Sequence, residues 1–119
     1  MADRPVMDPQ ILLRLQGMDD DGTFVAELAA VFLTEAPIRW TAIAGCSRAG
    51  RPADVVGLAH ALKGSAASLG LVRVQEASRA IEATARAGQV PGADALAQLD
   101  RELAAARVVL QPLARPVEA

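Results

Sequence analysis

Large apolar residues recur at alternating spacings of three and four positions in the last third of this chain. The repeat consists of Leu96, Leu99, Leu103, Ala106, Leu110 and Leu113. Such spacing lines up one apolar stripe along an α-helix and is typical of helices that pack at shallow angles in a bundle. The composition agrees, because alanine and leucine are abundant whereas only three of the 119 residues are aromatic. A β-sheet would be expected to contain more aromatic and β-branched residues.

Glycine and proline residues divide the chain into five helical segments. The predicted helices run from about Pro9 to Gln16, from about Thr23 to Arg48, from Pro52 to just before Gly70, from about Val72 to Ala87 and from about Ala93 to Leu110. Asp8 is the predicted N-cap of the first helix. Pro37 falls inside the second, where we expect a kink rather than two helices, because proline removes one backbone hydrogen bond. The sequence therefore predicts an all-α fold, an antiparallel up-down four-helix bundle with a short extra N-terminal helix.

The apolar pattern also predicts the buried faces of the middle helices. In the second helix the periodic residues are Phe24, Leu28, Val31, Ile38, Ala42 and Cys46; in the third, Ala59, Leu62, Ala66 and Leu69; in the fourth, Val74, Ala77, Ile81 and Ala85. Cys46, the lone cysteine, is interpreted as a small core residue. We expect a single domain over residues 1–119, with a core of about 8–113 and short flexible tails at both ends.

Composition and missing motifs exclude several classes of function. A formal net charge of −2 disfavours nucleic-acid binding, which needs clustered lysine and arginine. No apolar run approaches the roughly 20 residues of a membrane span, and the N-terminus lacks the apolar core of a signal peptide. We therefore expect a cytoplasmic protein. The chain has no Gly-rich nucleotide-binding loop, and no second histidine or cysteine pair that would indicate a metal site.

The chemistry of the chain is expected at its single histidine, His60. It lies in the run Ala59-His60-Ala61-Leu62-Lys63-Gly64-Ser65-Ala66-Ala67-Ser68-Leu69-Gly70. At about 100° per residue, Lys63 and Gly64 lie one helical turn beyond His60 on the same side. A glycine inside a helix costs about 1 kcal/mol relative to alanine. Its presence beside a nucleophilic imidazole and a cation suggests that something bulky approaches this face.

This run resembles the phosphoacceptor segment of histidine-containing phosphotransfer (HPt) domains, which relay phosphoryl groups in multistep phosphorelays. The family pattern is met by His60, Leu62, Lys63, Gly64, Ser65, Leu69 and Gly70. The resemblance implies a phosphocarrier that accepts a phosphoryl group from a receiver-domain aspartate and donates it to another. His60 would be the phosphoacceptor, Lys63 would stabilise the phosphate, and Gly64 would give the receiver access. The carrier would bind no cofactor, and Mg²⁺ would come with the receiver.

Three further residues are candidates for a supporting role. The Ser65 hydroxyl can bond the carbonyl one turn back or contact phosphate, and the first interpretation is preferred. HPt domains often carry Gln or Glu at the position of Glu82, where the side chain can orient the imidazole through its other nitrogen. Arg86, one turn further, could add positive potential near the site. Both residues could equally be ordinary polar surface residues.

Apolar residues around the histidine are candidates for a docking surface. Val56 and Ala67 share its face of the helix. Ile11, Leu12 and Leu15 on the first helix could form a neighbouring patch, although burial of that helix against the bundle explains them equally well.

The expected partners are receiver domains of response regulators and a hybrid histidine kinase, bound by a monomer, with no nucleic acid and no membrane. One alternative is a helical adaptor or inhibitor that binds a signalling partner while His60 stays unphosphorylated. A second is a phosphatase or the dimerising core of a histidine kinase. The combination of His60, Lys63 and Gly64 argues against the adaptor. The absence of an ATP-binding motif argues against the kinase.

Overall fold

The computed structural model describes residues 4–18 and 21–114, in which five α-helices are present. The helices are α1 (Pro9–Gly17), α2 (Thr23–Arg48), α3 (Pro52–Ser68), α4 (Val72–Arg86) and α5 (Ala93–Leu110). The five predicted helices are confirmed, with ends that differ from the prediction by at most one residue. Pro37 lies within α2, which continues through it as one helix. The predicted tails include residues 1–3 and 115–119, which lie outside the described residues.

Helices α2 to α5 form the predicted four-helix bundle. Helix α2 packs against α3 and α5, and α4 packs against the same two helices, so each helix of the bundle has two neighbours. Polar contacts reinforce two of these interfaces. The indole nitrogen of Trp40 donates to the carbonyl of Leu96 at 3.0 Å, and Arg73 Nε donates to Glu102 Oε1 at 2.8 Å. No helix in the described part of the chain is long and apolar enough to span a membrane.

The buried faces of α3 and α4 follow the sequence pattern. All four stripe residues of α3 are buried: Ala59, Leu62, Ala66 and Leu69. In α4, Val74, Ile81 and Ala85 are buried and Ala77 is half-buried. Cys46 is also half-buried and packs against the core. Because the core side of α3 is continuous, the opposite side of that helix faces solvent.

The predicted buried face of α2 is only partly correct: Leu28 and Cys46 pack against the core and Ala42 is half-buried, but the other three residues are not buried. Phe24, Val31 and Ile38 are exposed, and Ile38 retains 65% of its accessible surface. The residues that α2 buries are instead Val25, Ala26, Ala29, Phe32, Ala36, Ile43, Ala44 and Ser47. This face is rotated from the predicted one by about one residue, or roughly 100°. Alanines predominate on the buried face, since small side chains let α2 approach the helices on either side.

Helix α1 is attached to the turn between α3 and α4. The Asp8 side chain caps α1 by accepting from the Gln10 amide at 2.9 Å, and the Asp8 amide donates to the Gly70 carbonyl at 2.7 Å. Gly70 has a φ of +69°, and a Cβ placed there would lie 2.7 Å from Ile11 Cβ. Glycine is therefore required at this turn both by its backbone conformation and by the close approach of α1.

We predict that Gly70→Ala destabilises the protein more than Gly50→Ala does. Gly50 has nearly the same φ, +68°, but nothing lies within 4 Å of a Cβ placed there. Gly50→Ala should lower the free energy of unfolding by about 1–2 kcal/mol, because of backbone strain alone. Gly70→Ala should lower it by about 2–5 kcal/mol, because the clash with Ile11 adds to that strain. Urea unfolding of both variants measures the difference, and equal losses would contradict the tight seating of α1.

Candidate functional site

His60 projects from the solvent-facing side of α3. Its side chain is 63% exposed, and Nδ1 lies 3.0 Å from Glu82 Oε2 on α4. An ionised carboxylate accepts hydrogen bonds and donates none, so Nδ1 carries the proton of the neutral imidazole. The other ring nitrogen, Nε2, is then unprotonated and has no protein partner among the described residues. An unprotonated ring nitrogen without a partner is the kind of atom that can act as a nucleophile.

Glu82 is a buried carboxylate surrounded by cationic partners. Its side chain is only 6% exposed. Oε1 lies 2.7 Å from Lys63 Nζ, whereas Oε2 accepts from both Nε and Nη2 of Arg86, at 3.1 Å and 2.7 Å. Oε2 also faces the imidazole of His60, so the two carboxylate oxygens serve different partners. Glu82 is thus not an ordinary surface residue.

The surroundings of Glu82 keep it ionised. The ammonium of Lys63, 2.7 Å from Oε1, and then the hydrogen bonds from Arg86 lower the pKa of Glu82 from 4.5 to about 2. Burial acts in the opposite direction, and the hydrogen bond from His60 adds a smaller lowering effect. The pairing with Lys63 and Arg86 explains how an ionised carboxylate is tolerated at this depth, since a buried charge is costly unless it is paired and hydrogen-bonded.

Two adjacent helices supply these four side chains at helical spacings. Lys63 follows His60 by three residues on α3, and Arg86 follows Glu82 by four residues on α4. Residues three or four apart lie on the same face of a helix. The close packing of α3 on α4 then brings the two pairs together. The sequence analysis singled out all four residues, and the structure places them in one cluster.

The surface beside His60 is open. Gly64 is exposed, and nothing lies within 4 Å of a Cβ placed there. Ala67 is exposed and Val56 is half-buried on the same helix. The flat surface at this point leaves room for a large partner.

The preferred interpretation of Ser65 is wrong. Its hydroxyl accepts from Arg39 Nη1 on α2 at 3.0 Å and does not bond the carbonyl one turn back. Arg39 also pairs with Glu35, with 3.0 Å between Nη2 and Oε1. Sequence reasoning missed Arg39, because the contact joins two helices and has no local spacing signal. Ser65 therefore contributes to the packing of α2 on α3.

Helix α1 places its apolar residues on two sides. Leu15 is buried in the core, and Ile11 and Leu12 are half-buried and pack against it. These three residues therefore serve mainly to seat α1 on the bundle. Leu13 and Met18 are instead exposed, and the sequence analysis did not single them out.

In the part of the chain that the structure describes, no metal cluster marks the histidine. No group of three or more His, Cys, Asp or Glu side chains that could hold a metal ion occurs within the described residues. A cavity of about 150 Å³ is present, but it is lined by residues of α2 and α5, such as Phe32, Trp40 and Leu103. His60 belongs to α3 and is exposed, so a molecule that contacts its imidazole would approach from the protein surface.

The sequence of the chain matches a known family, and its fold matches a known protein. Residues 27–108 match the family model of the Hpt domain, a span that includes α3, α4 and most of α2 and α5. The fold is similar to the crystal structure of histidine-containing phosphotransfer protein B from Pseudomonas aeruginosa PAO1, with a TM-score of 0.83. That match has 24% sequence identity and covers 92% of this chain and 95% of the other. None of the curated proteins matches the chain.

The ion pairs of Glu82 predict a specific loss of stability in acid. Because the folded-state pKa is about 2 and the usual value is 4.5, the stabilisation is fully present above the usual value. It is lost as the pH falls from about 4.5 towards 2. We expect the free energy of unfolding of the wild type to fall more steeply over this range than that of Glu82→Gln, which has no carboxylate to protonate. Urea unfolding of both proteins at several pH values measures this, and parallel curves would contradict it.

Proposed function

This chain belongs to the Hpt domain family, and from that premise we propose that it is a phosphocarrier whose phosphoacceptor is His60. It accepts a phosphoryl group from the aspartyl phosphate of one receiver domain and donates it to the aspartate of another. The observation that carries the proposal is an imidazole that is 63% exposed and whose Nδ1 lies 3.0 Å from the buried carboxylate of Glu82. A nucleophile that is oriented and free to react is what phosphoryl transfer requires of the carrier.

The transfer step needs no added base, because Nε2 carries no proton that must be removed. The lone pair of His60 Nε2 attacks phosphorus, the bond from phosphorus to the receiver's aspartyl oxygen breaks, and the electron pair returns to the aspartate as a carboxylate. The ring keeps its proton on Nδ1 and becomes cationic as the nitrogen–phosphorus bond forms. Glu82 Oε2, 3.0 Å from Nδ1, stabilises that positive charge. Donation to the second receiver is the same step in reverse.

The remaining residues of the site assist approach and charge balance. Lys63 places an ammonium beside the ring, where it can offset the charge of the moving phosphoryl group. Gly64 leaves the surface flat, so that an acidic receiver pocket can come close. We propose that Mg²⁺ is held by the receiver, because a carboxylate cluster is the usual site for this ion.

The protein acts as a transfer partner of other proteins and not as a kinase or phosphatase. It docks one receiver at a time as a monomer, and a hybrid histidine kinase supplies the first receiver. The adaptor alternative is not favoured, because partner binding alone would not require the imidazole to be oriented by an ionised carboxylate.

We predict that His60→Gln abolishes phosphate uptake without unfolding the protein. The side chain is mostly exposed, so the free energy of unfolding should change by less than about 0.5 kcal/mol. The assay incubates the wild type and the variant with phosphorylated receiver domains and detects phosphate that is labile in acid and stable in base. Equal labelling of both proteins would refute the assignment of His60 as phosphoacceptor.

We predict that Gly64→Gln stabilises the protein but impairs transfer, with Gly64→Ala as the matched control. Both variants should gain about 0.5–1 kcal/mol, because glycine is a poor helix former and open space surrounds this position. Only glutamine adds a long side chain one turn from His60, so only Gly64→Gln should transfer phosphate much more slowly. Thermal melts and transfer assays on the same samples test this. Normal transfer by Gly64→Gln would mean that the receiver docks elsewhere.

A further inference from the structure

The two oxygens of Glu82 hold their partners independently. Oε2 accepts from Nε and Nη2 of Arg86 and binds the imidazole, whereas among the described residues only Lys63 pairs with Oε1, at 2.7 Å. Lys63 can therefore leave the carboxylate without releasing His60. Arg86 cannot leave so easily, because two of its nitrogens are bound to the oxygen that also orients the ring.

The two cations also differ in mobility and surroundings. Lysine is a compact charge on a flexible stem, whereas the arginine guanidinium is a rigid fork. The Lys63 side chain is 26% exposed and starts one turn from His60. Lys63 and His60 start from the same face of α3 and contact the two oxygens of one carboxylate. Rotation about the side-chain bonds of Lys63 can carry Nζ from Oε1 towards a group attached to the ring.

Phosphorylation of His60 changes the charge balance around Lys63. Before phosphorylation, the carboxylate of Glu82 faces two permanent cations, Lys63 and Arg86. A phosphoryl group adds up to about two negative charges and three strong acceptor oxygens. Of the two anionic groups then within reach of Lys63, the phosphoryl group carries more charge. Glu82 still retains Arg86, so it is not left as an unpaired buried charge.

We propose that Lys63 changes partners in each phosphoryl cycle, moving from Glu82 Oε1 to the phosphoryl oxygens, while Arg86 stays on Oε2. Arg86 is then a positioning residue, which acts through Glu82 and never touches the phosphoryl group. The proposal rests on phosphorylation of His60 as the function of the site. Its consequence is that part of the attraction between Lys63 and phosphate is offset by the ion pair that Lys63 gives up. The phosphoryl group is thereby held weakly enough to be passed on.

Because Lys63 is the only lysine of the chain, its side chain can be observed directly. Lysine labelled with ¹³C and ¹⁵N gives one side-chain ammonium signal by NMR. His60 is phosphorylated with phosphoramidate. In this reaction Nε2 attacks phosphorus, and ammonia leaves with the electron pair of the broken nitrogen–phosphorus bond. The ³¹P signal reports the product. The samples are the wild type and four variants: Glu82→Gln, Lys63→Met, Arg86→Ala and Arg79→Ala.

Without phosphate, the Lys63 signal of the wild type should differ from that of Glu82→Gln, where the carboxylate charge is gone. After phosphorylation the two signals should converge, because in both proteins Lys63 is then bound to the phosphoryl group. The phosphohistidine ³¹P signal should also differ between the wild type and Lys63→Met. An unchanged Lys63 signal in a wild-type protein that shows the ³¹P signal would overturn the exchange and leave the phosphocarrier function intact. Absence of the ³¹P signal would overturn both.

The arginine variants test the positioning role. In Arg86→Ala, Lys63 is the remaining permanent cation on Glu82, so its signal should stay near the unphosphorylated position after phosphorylation. Transfer from a phosphorylated receiver should slow by about 3- to 10-fold, and Arg86→Lys should restore most of the rate. Arg79 lies on the exposed side of α4 without a side-chain partner among the described residues, and Arg79→Ala should behave as the wild type. If the Lys63 signal of Arg86→Ala shifts on phosphorylation as it does in the wild type, the positioning role of Arg86 is refuted.

Discussion

The buried carboxylate of Glu82 is the interaction on which the functional surface depends. A charge with 6% exposure is stable only because Lys63 and Arg86 pair with it, and these two cations lower the pKa of Glu82 to about 2. Once ionised, it can only accept hydrogen bonds, which fixes the tautomer of His60. The tautomer of an exposed imidazole is therefore set by a group that solvent barely reaches.

Helix packing is what makes this arrangement possible. The core side of α3 consists of Val55, Ala59, Leu62 and Ala66, and α4 packs against it closely enough for Glu82 to meet residues of α3. The turn at Gly70 reverses the chain between these helices, and α1 is seated on that turn through Ile11. Contacts far from the histidine thus hold the two halves of the site in register.

The sequence predicts the helices well, because glycine, proline and the period of apolar residues act locally. It also identifies His60, Lys63 and Gly64 through a motif within one helix. The face of α2 could not be predicted, since that helix is apolar on more than one side and only tertiary packing selects Ala29 over Val31 for burial. The contact of Arg39 with Ser65 and the burial of Glu82 could not be predicted for the same reason. Both depend on neighbouring helices and leave no periodic signal in the sequence.

The short connection between α3 and α4 has a consequence for how the protein acquires its function during folding. His60 and Glu82 are 22 positions apart, on consecutive helices joined by a tight turn. Contacts of low sequence separation have a small loop-closure entropy and form early in helical proteins. The site can therefore assemble within one helical hairpin, before α2 and α5 close the bundle. Slow steps in maturation would then lie in bundle closure and not in the formation of the reactive histidine.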